Sequence, residues 1–237
     1  HAFSGCRYLN SVAIPDSVTA IGKGAFSGTA LTSIAIPGTV KAMGTNPFTN
    51  CTSLVDLMII GNAQNFQVFD GALFNREMTR IIWYSNAKGG SYIVPNGVVE
   101  IGEGAFSQCT LLEDVIFPSS VKKIGVCAFE SCSRLESVIV KGELDLVMEK
   151  AFYDCTNLSM VDFDRIRKIG KNAFMHTIVW RRKQLEDMNL DNVSGVADFV
   201  CRNALNDLER RKFWWEIFKR YLVETNISKW EEDGDFE

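Results

Sequence analysis

The seven cysteines are the residues of this chain with the widest chemical range. Thiolates bind zinc and form disulfides, so their spacing is the first test of chemistry. Five of them lie three residues after a phenylalanine: Cys6, Cys51, Cys109, Cys132 and Cys155. There is no C-x-x-C pair, only His1 and His176 are available to complete a metal site, and the odd total argues against a disulfide framework. We expect buried, reduced thiols and neither a metal nor a cofactor.

Other catalytic patterns are also missing from the sequence. It has no nucleophile elbow, no phosphate-binding loop and no paired acid motif. The segment "GKGAFSG" near Gly22 is glycine-rich, but the repeat described below explains its glycines as turn residues. The sequence therefore predicts a protein that is not an enzyme.

Composition excludes two further classes of partner. A net charge of −4 lacks the basic excess that binds nucleic acid. Apolar runs such as "LMII" at 57–60 are far shorter than the roughly 20 residues that span a bilayer, so no transmembrane segment is predicted. The sequence starts at His1 without a targeting segment, and we expect an upstream part to be missing.

The phenylalanines that precede the cysteines recur at a fixed period. The anchors are spaced 23, 22, 58, 23, 23 and 22 residues apart, with one long gap in a regular series: Phe3, Phe26, Phe48, Phe106, Phe129, Phe152 and Phe174. In "LEDVIFPSSVKKIGVCAF", apolar residues alternate at Val115 and Phe117, which is the pattern of a half-buried strand. Pro118 ends that strand, and Gly125 permits the turn that returns the chain to the next Phe. Each circuit must stack on its neighbours to bury its apolar side, which predicts a solenoid with a parallel β-sheet.

The circuits resemble a known family. "AFSGCRYLNSVAIPDSVTAIGKGAF" and "AFSQCTLLEDVIFPSSVKKIGVCAF" are similar to BspA-type leucine-rich repeats, and the likeness covers residues 1–177. The resemblance implies an α/β-type repeat solenoid, a right-handed coil with a parallel sheet face, used for protein recognition or adhesion. Members of one fold serve unrelated partners, so the resemblance is specific for the fold and not for the function.

Two regions depart from the repeat. At about 60–94, alternating apolar residues around "NREMT" and "NAKGG" predict a hairpin-like insertion, interpreted as a structural variation or a dedicated binding loop. In the last two circuits Lys141 and Asp164 replace the expected proline, so the corner is loosened toward the C-terminal end.

Surface positions carry the remaining functional signal. Met58, Ile116 and Ile139 are predicted to point outward from the strands as an apolar ladder, either an ordinary surface or a protein contact. On the second side, Lys122, Lys123, Arg167 and Lys168 are predicted to form a solvated face. Cys127 fills a turn position that is glycine elsewhere, which makes it the expected exposed thiol.

Residues 178–237 have a different character. Apolar residues recur at helical spacing from Val196 to Leu222, which predicts a helical C-terminal extension. One interpretation is a cap on the open end of the solenoid, and the other is a helix that inserts into a partner's groove through Trp214, Ile217 and Tyr221.

These observations predict a non-enzymatic protein-interaction scaffold within a larger protein assembly. Its partners would be other proteins, and nothing in the sequence predicts the oligomeric state. The unpaired cysteine ladder favours an intracellular location. The alternative is a secreted or cell-surface adhesin or recognition protein.

Overall fold

A computed structural model describes residues 1–62 and 64–180. The helical extension predicted for residues 178–237, with Trp214, Ile217 and Tyr221, lies outside the described residues beyond position 180. Up to residue 177 the described chain contains strands, turns and one 3-10 helix, Phe163–Arg165. The class is therefore a β-solenoid and not the α/β type expected. Outside the insertion, the second side of the described circuits consists of turns and two-residue strands, with no helix.

The described residues of the solenoid form fourteen short strands. They are β1 (Ala20–Ile21), β2 (Ser33–Pro37), β3 (Ala42–Met43), β4 (Asp56–Ile60), β5 (Phe66–Phe69), β6 (Ala72–Asn75), β7 (Arg80–Tyr84), β8 (Gly90–Ile93), β9 (Glu100–Ile101), β10 (Leu112–Phe117), β11 (Lys123–Ile124), β12 (Ser137–Val140), β13 (Leu146–Val147) and β14 (Met160–Val161).

The first side of the solenoid is formed by strands that all pair in parallel. They fall into two sheets, β2-β4 and β8-β10-β12-β14. The strand β14 has only two residues, and the 3-10 helix follows it where earlier circuits continue as strand. This shortening agrees with the predicted loosening of the last circuits.

The short strands form the second side. In chain order β1 pairs with β3, while β9, β11 and β13 form a parallel ladder. Between these two groups lie β5, β6 and β7, which pair in an antiparallel meander that joins the ladder where β7 runs parallel to β9. The insertion is therefore a hairpin of β5 and β6, wedged into the second side alone.

The region predicted as an insertion also contains part of a normal circuit. Tyr84 stands 22 residues before Phe106 and stacks on it with ring centroids 4.8 Å apart. The strand β8 then pairs with β10 in the register of the other circuits. Residues from about 80 onward thus follow the repeat, with tyrosine at the anchor position in place of phenylalanine.

The anchor rings form a stacked column through the core. Successive centroids are 5.4 Å apart for Phe3 and Phe26 and 4.7 Å apart for Phe106 and Phe129, with the rings nearly parallel. The column is broken at one place, where Trp83 contacts Phe48 edge-on while its neighbour Tyr84 contacts Phe106. Because successive residues of a strand point to opposite faces, β7 separates two hydrophobic clusters. We call these the N-terminal block (residues 1–60) and the C-terminal block (residues 84–179).

The cysteine ladder lies beside this column, at the inward corner predicted for it. Cys51, Cys109, Cys132 and Cys155 are buried, with no exposed surface. The thiols of Cys132 and Cys155 donate to the carbonyl oxygens of Phe106 and Phe129, the anchors of the preceding circuit, at 3.0 and 2.9 Å. These cysteines therefore fill space and satisfy a corner carbonyl. Thr29 takes the same role in its own circuit, donating to Phe26 at 2.9 Å.

Candidate protein-interaction face

The outward face of the first-side sheet carries a short apolar ladder. Ile93, Ile116 and Ile139 are direct neighbours in the register of β8, β10 and β12. Ile93 is 65% exposed and Ile139 is 45% exposed, while Ile116 between them is half-buried. Parallel strands lie about 4.8 Å apart, so the three side chains form a continuous apolar strip about 10 Å long. We call this strip the isoleucine ladder.

A polar ladder runs beside it, two residues earlier in each strand. The carboxylate of Asp114 accepts hydrogen bonds from the hydroxyls of Ser91 at 2.9 Å and Ser137 at 2.5 Å. Both hydroxyls therefore fix the carboxylate across three strands. The next residue in this register, at the end of the sheet, is the apolar Met160, which is 63% exposed. The face thus combines a carboxylate held by two hydroxyls with exposed apolar surface.

The structure separates the residues that the sequence places on one ladder. Ile116 and Ile139 do lie side by side, but Met58 belongs to the other first-side sheet, where it pairs with Ala35. Met58 is exposed, at 49%, and lies beside the hairpin. The predicted contact residues Trp214, Ile217 and Tyr221 lie outside the described residues.

Sequence reasoning missed Ile93. The residue falls within the segment interpreted as an insertion, so its strand was not recognised. The signal was nevertheless present, because Ile93 stands 23 residues before Ile116, one repeat period.

The second side of the solenoid shows a different surface. Glu100 lies between Arg80 and Lys123, with nitrogen-to-oxygen distances of 3.7 and 3.1 Å. Arg167 contacts Glu143 and Asp145, at 2.5 and 3.1 Å. These charges neutralise one another along the stack, which fits the solvated face predicted for this side. Exposed ion pairs of this kind contribute little to stability.

The thiols outside the buried ladder positions differ in accessibility from the prediction. Cys6 is the exposed thiol of the described chain, and Cys127 is half-buried. Each ladder thiol packs on the circuit before it, and no described circuit precedes that of Cys6, which explains its exposure. Cys127 does occupy the predicted turn position, with φ of 51°, where Gly104 has 58°. Burial, with Glu130 beside it, raises the pKa of the Cys127 thiol to about 11, so it is a poor nucleophile at neutral pH.

Neither a metal site nor a membrane-spanning helix is present among the described residues. Within 1–62 and 64–180, no three His, Cys, Asp or Glu side chains are arranged to hold a metal ion. The same part of the chain contains no helix of the length and hydrophobicity needed to cross a bilayer.

Comparison with known proteins identifies what the repeats resemble. The sequence model for the BspA type leucine rich repeat region matches residues 1–88 and 77–182, with 6 copies. Among solved structures, a leucine rich cell surface protein from Faecalibacterium prausnitzii is 33% identical with a TM-score of 0.59, covering 68% of this chain and 43% of that one. The pneumococcal vaccine antigen PcpA is 27% identical with a TM-score of 0.58, covering 65% of this chain and 39% of the antigen.

The chain thus spans less than half the length of these two structures. A search of curated proteins found no significant match.

Proposed function

Because the chain belongs to the BspA-type leucine-rich-repeat family, we propose that it is a recognition module that binds another protein and acts at the cell surface or in the secreted state. The isoleucine ladder is the observation that carries the proposal. It supplies exposed apolar surface on a rigid sheet, with the fixed carboxylate of Asp114 beside it. The likeness to a cell surface protein and to a vaccine antigen supports the location.

A role without catalysis fits this surface. The polar groups of the face bond to one another, as Asp114 does with its two serines. A partner would therefore gain affinity by covering the isoleucines, and Asp114 would select for a partner with a basic or hydrogen-bond-donating rim.

The contact can be tested by photo-crosslinking. A photoreactive residue placed at Ile139 should cross-link the partner, while the same group at Val99 should not. Val99 is a matched control because it is 43% exposed, close to the 45% of Ile139, but lies next to β9 on the second side. Equal cross-linking from both positions would contradict the assignment of the face.

The affinity can be tested once the cross-linked partner is purified. Ile116→Asp places a charge in the centre of the ladder and should weaken binding at least tenfold, whereas Val99→Asp should leave it unchanged. Calorimetric titration measures both. Circular dichroism checks that each variant folds.

The location needs a separate experiment. Intact cells that make the natural protein should be treated with a membrane-impermeant biotin reagent that labels lysines. Labelling would support a surface or secreted protein. Protection until the cells are lysed would favour the second candidate, a scaffold inside an intracellular assembly, for which the buried free thiols at Cys109, Cys132 and Cys155 are the supporting observation.

The role of residues 178–237 stays a prediction, as does contact through Trp214, Ile217 and Tyr221. Deletion of this segment tests the capping role. A cap predicts that the remaining solenoid aggregates or unfolds at lower denaturant concentration. If the shortened chain is equally soluble and stable, the capping role is wrong.

A further inference from the structure

The strand β4 ends a sheet in the middle of the molecule. Among the described strands it pairs with β2 alone, while β8, the first-side strand of the next circuit, pairs with β10 alone. The hairpin of β5 and β6 fills the corresponding place on the second side only. One edge of β4 is therefore left without backbone pairing among the described strands, although β5 comes close to it.

The backbone groups at this edge can be assigned. Asp56 donates its N–H to Thr32, at 3.3 Å, and the carbonyl of Ile60 accepts from Gly38, at 2.7 Å, so these residues face β2. Alternate residues of a strand direct their backbone groups to opposite edges. Leu57 and Ile59 therefore present their N–H and C=O groups to the free edge.

A groove lies along this edge. It has a volume of about 530 Å³ and is lined by β4 on one side and by β5 with Arg76 on the other: Leu57, Met58, Ile59, Phe66, Gln67, Val68 and Arg76. Within the described chain β5 pairs with β6 only, so the groove runs between two open strand edges. Its apolar residues Ile59, Phe66 and Val68 pack against the core of the N-terminal block.

Burial along β4 leaves apolar surface that a further strand would cover. Ile36 of β2 has no exposed surface because β4 covers it. Its register neighbour Ile59 of β4 points inward in the same way and remains half-buried. An occupant that extended the sheet would cover Ile59 as β4 covers Ile36.

The groove also has a charge. The guanidinium of Arg76 is exposed, and its one hydrogen bond within the described chain is from Nη1 to the carbonyl of Gln64, at 2.7 Å. A guanidinium has five N–H donors, so most of them remain available to a carboxylate.

From these observations we propose that the β4 edge binds an extended peptide segment of a partner protein as an added β-strand. The peptide pairs its backbone with Leu57 and Ile59, places alternate apolar side chains over Ile59 and Phe66, and directs an acidic side chain toward Arg76. Main-chain pairing supplies the affinity and the groove side chains supply the selectivity. This site is separate from the isoleucine ladder, so Ile116→Asp leaves it intact.

The probe is a soluble library of acetylated seven-residue peptides that alternate Val or Ile with Thr, Ser, Asp or Glu, titrated against the full chain. Acid-containing members should bind. In amide hydrogen exchange, they should slow Leu57 and Ile59, while the amide of Met58, already bonded toward β2, should change little.

Alternate N-methylation tests the main-chain pairing directly. Methylating the set of peptide amides that faces β4 should weaken binding at least tenfold, and methylating the other set should change it less than threefold. Equal effects of the two sets, or a library with no binding member, would overturn the proposal.

The protein side is tested with matched arginines. Arg76→Gln should weaken acid-containing peptides at least tenfold, whereas Arg80→Gln, an exposed arginine on β7 outside the groove, should not. Equal loss in both variants would overturn the acidic preference. Ile59→Pro should remove one backbone N–H from the unpaired edge of β4 while keeping the backbone hydrogen bonds to β2, and should therefore weaken peptide binding. If that variant does not fold, the methylated peptides test the main-chain pairing.

Two competing occupants have distinct signatures. If the amides of Leu57 and Ile59 are already protected in the free full chain at low concentration, another segment of the same chain fills the groove. If they become protected only as the protein dimerises, a second copy fills it. Either result overturns the proposal without touching the function assigned to the isoleucine ladder.

Discussion

The first circuit of the N-terminal block and a central circuit of the C-terminal block are built from the same repeat but are buried to different extents. In the circuit of Phe129, the inward residues Val115, Phe117, Val121 and Ile124 have no exposed surface. In the first circuit, Val12, Ile14 and Val18 occupy the same repeat positions and are only partly buried. The repeat sequence thus sets which side chains point inward, and the neighbouring circuits decide how completely they are covered.

At the boundary between the blocks, some of the buried polar side-chain atoms that the structure describes lack a hydrogen-bond partner. The described chain has three buried side-chain polar atoms without a hydrogen-bond partner, and all lie in or next to the boundary: Trp83 Nε1, Asn86 Oδ1 and Tyr92 OH. An unpaired buried polar atom costs about 1 to 3 kcal/mol. The boundary therefore carries an energetic cost that the described residues farther from it do not show.

The largest expected effect comes from the centre of the C-terminal block. Phe129→Ala removes a ring stacked between Phe106 and Phe152, at 4.7 and 5.0 Å, and should lower the free energy of unfolding by about 3 to 5 kcal/mol. Phe3→Ala at the exposed end, where one ring contact is lost, should cost about 1 kcal/mol. Urea unfolding measures both. Equal costs would show that the exposed first circuit and the central circuit do not differ as described.

The next prediction concerns β7, whose neighbouring residues Trp83 and Tyr84 pack into different blocks. Trp83→Ala should cost about 3 kcal/mol and speed hydrogen exchange in the N-terminal block, because Trp83 packs against Phe48. Tyr84→Ala should speed exchange in the C-terminal block, where Tyr84 contacts Phe106 and Tyr92. Exchange that rises equally in both blocks for either variant would show that β7 does not separate them.

A smaller effect is expected at the corner where the blocks touch. Asn46 belongs to the N-terminal block. With its amide nitrogen turned toward the C-terminal block, it donates hydrogen bonds to the carbonyls of Gly104 and Glu103, at 2.9 and 3.0 Å. A Cβ on Gly104 would overlap the Asn46 carboxamide, and its φ of 58° is unfavourable for alanine. Gly104→Ala should therefore cost about 2 kcal/mol in thermal or urea unfolding.

Gly28→Ala is the matched control for this corner. Gly28 has a similar φ of 68°, but a Cβ added there would have no neighbouring atom closer than 3.9 Å. The Gly28→Ala substitution therefore reports the backbone strain alone. We expect about 1 kcal/mol for Gly28→Ala. If both variants cost the same, the contact between Asn46 and Gly104 contributes nothing.

The smallest effect leaves the fold unchanged and concerns the thiols. In a Cys201→Ser background at pH 8, iodoacetamide should modify the exposed Cys6 first and Cys127 much more slowly, because burial raises the pKa of Cys127 to about 11. The Cys127 rate should increase about tenfold per pH unit below that value. Mass spectrometry of peptides measures both rates. Modification of Cys132 before unfolding would contradict the buried ladder.

Two buried thiols and two buried tyrosines predict a pH dependence of stability. Burial raises the pKa of Cys109 and of Cys155 well above the ordinary thiol value, and burial also raises the pKa of Tyr84 and of Tyr92. The folded state keeps these protons when the unfolded state loses them, so stability falls as the pH rises above about 9. The C-terminal block holds all four groups and should lose protection from hydrogen exchange first.

The sequence predicts most of this fold because each circuit repeats the same local rules. The alternation at Val115 and Phe117, the proline corner and the anchor rings place the core, the parallel sheet and the cysteine corner correctly. Ile116 and Ile139 were predicted as outward neighbours for the same reason.

The rest depends on contacts that one circuit's sequence does not contain. Tyr84 replaces the anchor phenylalanine, and this substitution concealed β8 and therefore Ile93. Met58 is separated from the isoleucine ladder because β5 and β6 are inserted on the opposite side of the solenoid. The alternation of residues along one strand does not predict such an insertion. The groove beside β4 was missed for the same reason.

The unpaired edge of β4 also has a mechanical consequence. A pull along the stack is resisted inside each block by backbone hydrogen bonds between first-side strands, as in the register of β10 and β12. Among the described strands no such ladder joins β4 to β8 or β3 to β5, so we expect the junction between these strands to be the weakest section of the described stack under tension. A solenoid under tension should therefore separate there first, releasing two shorter stacks and lengthening the molecule before either core unfolds.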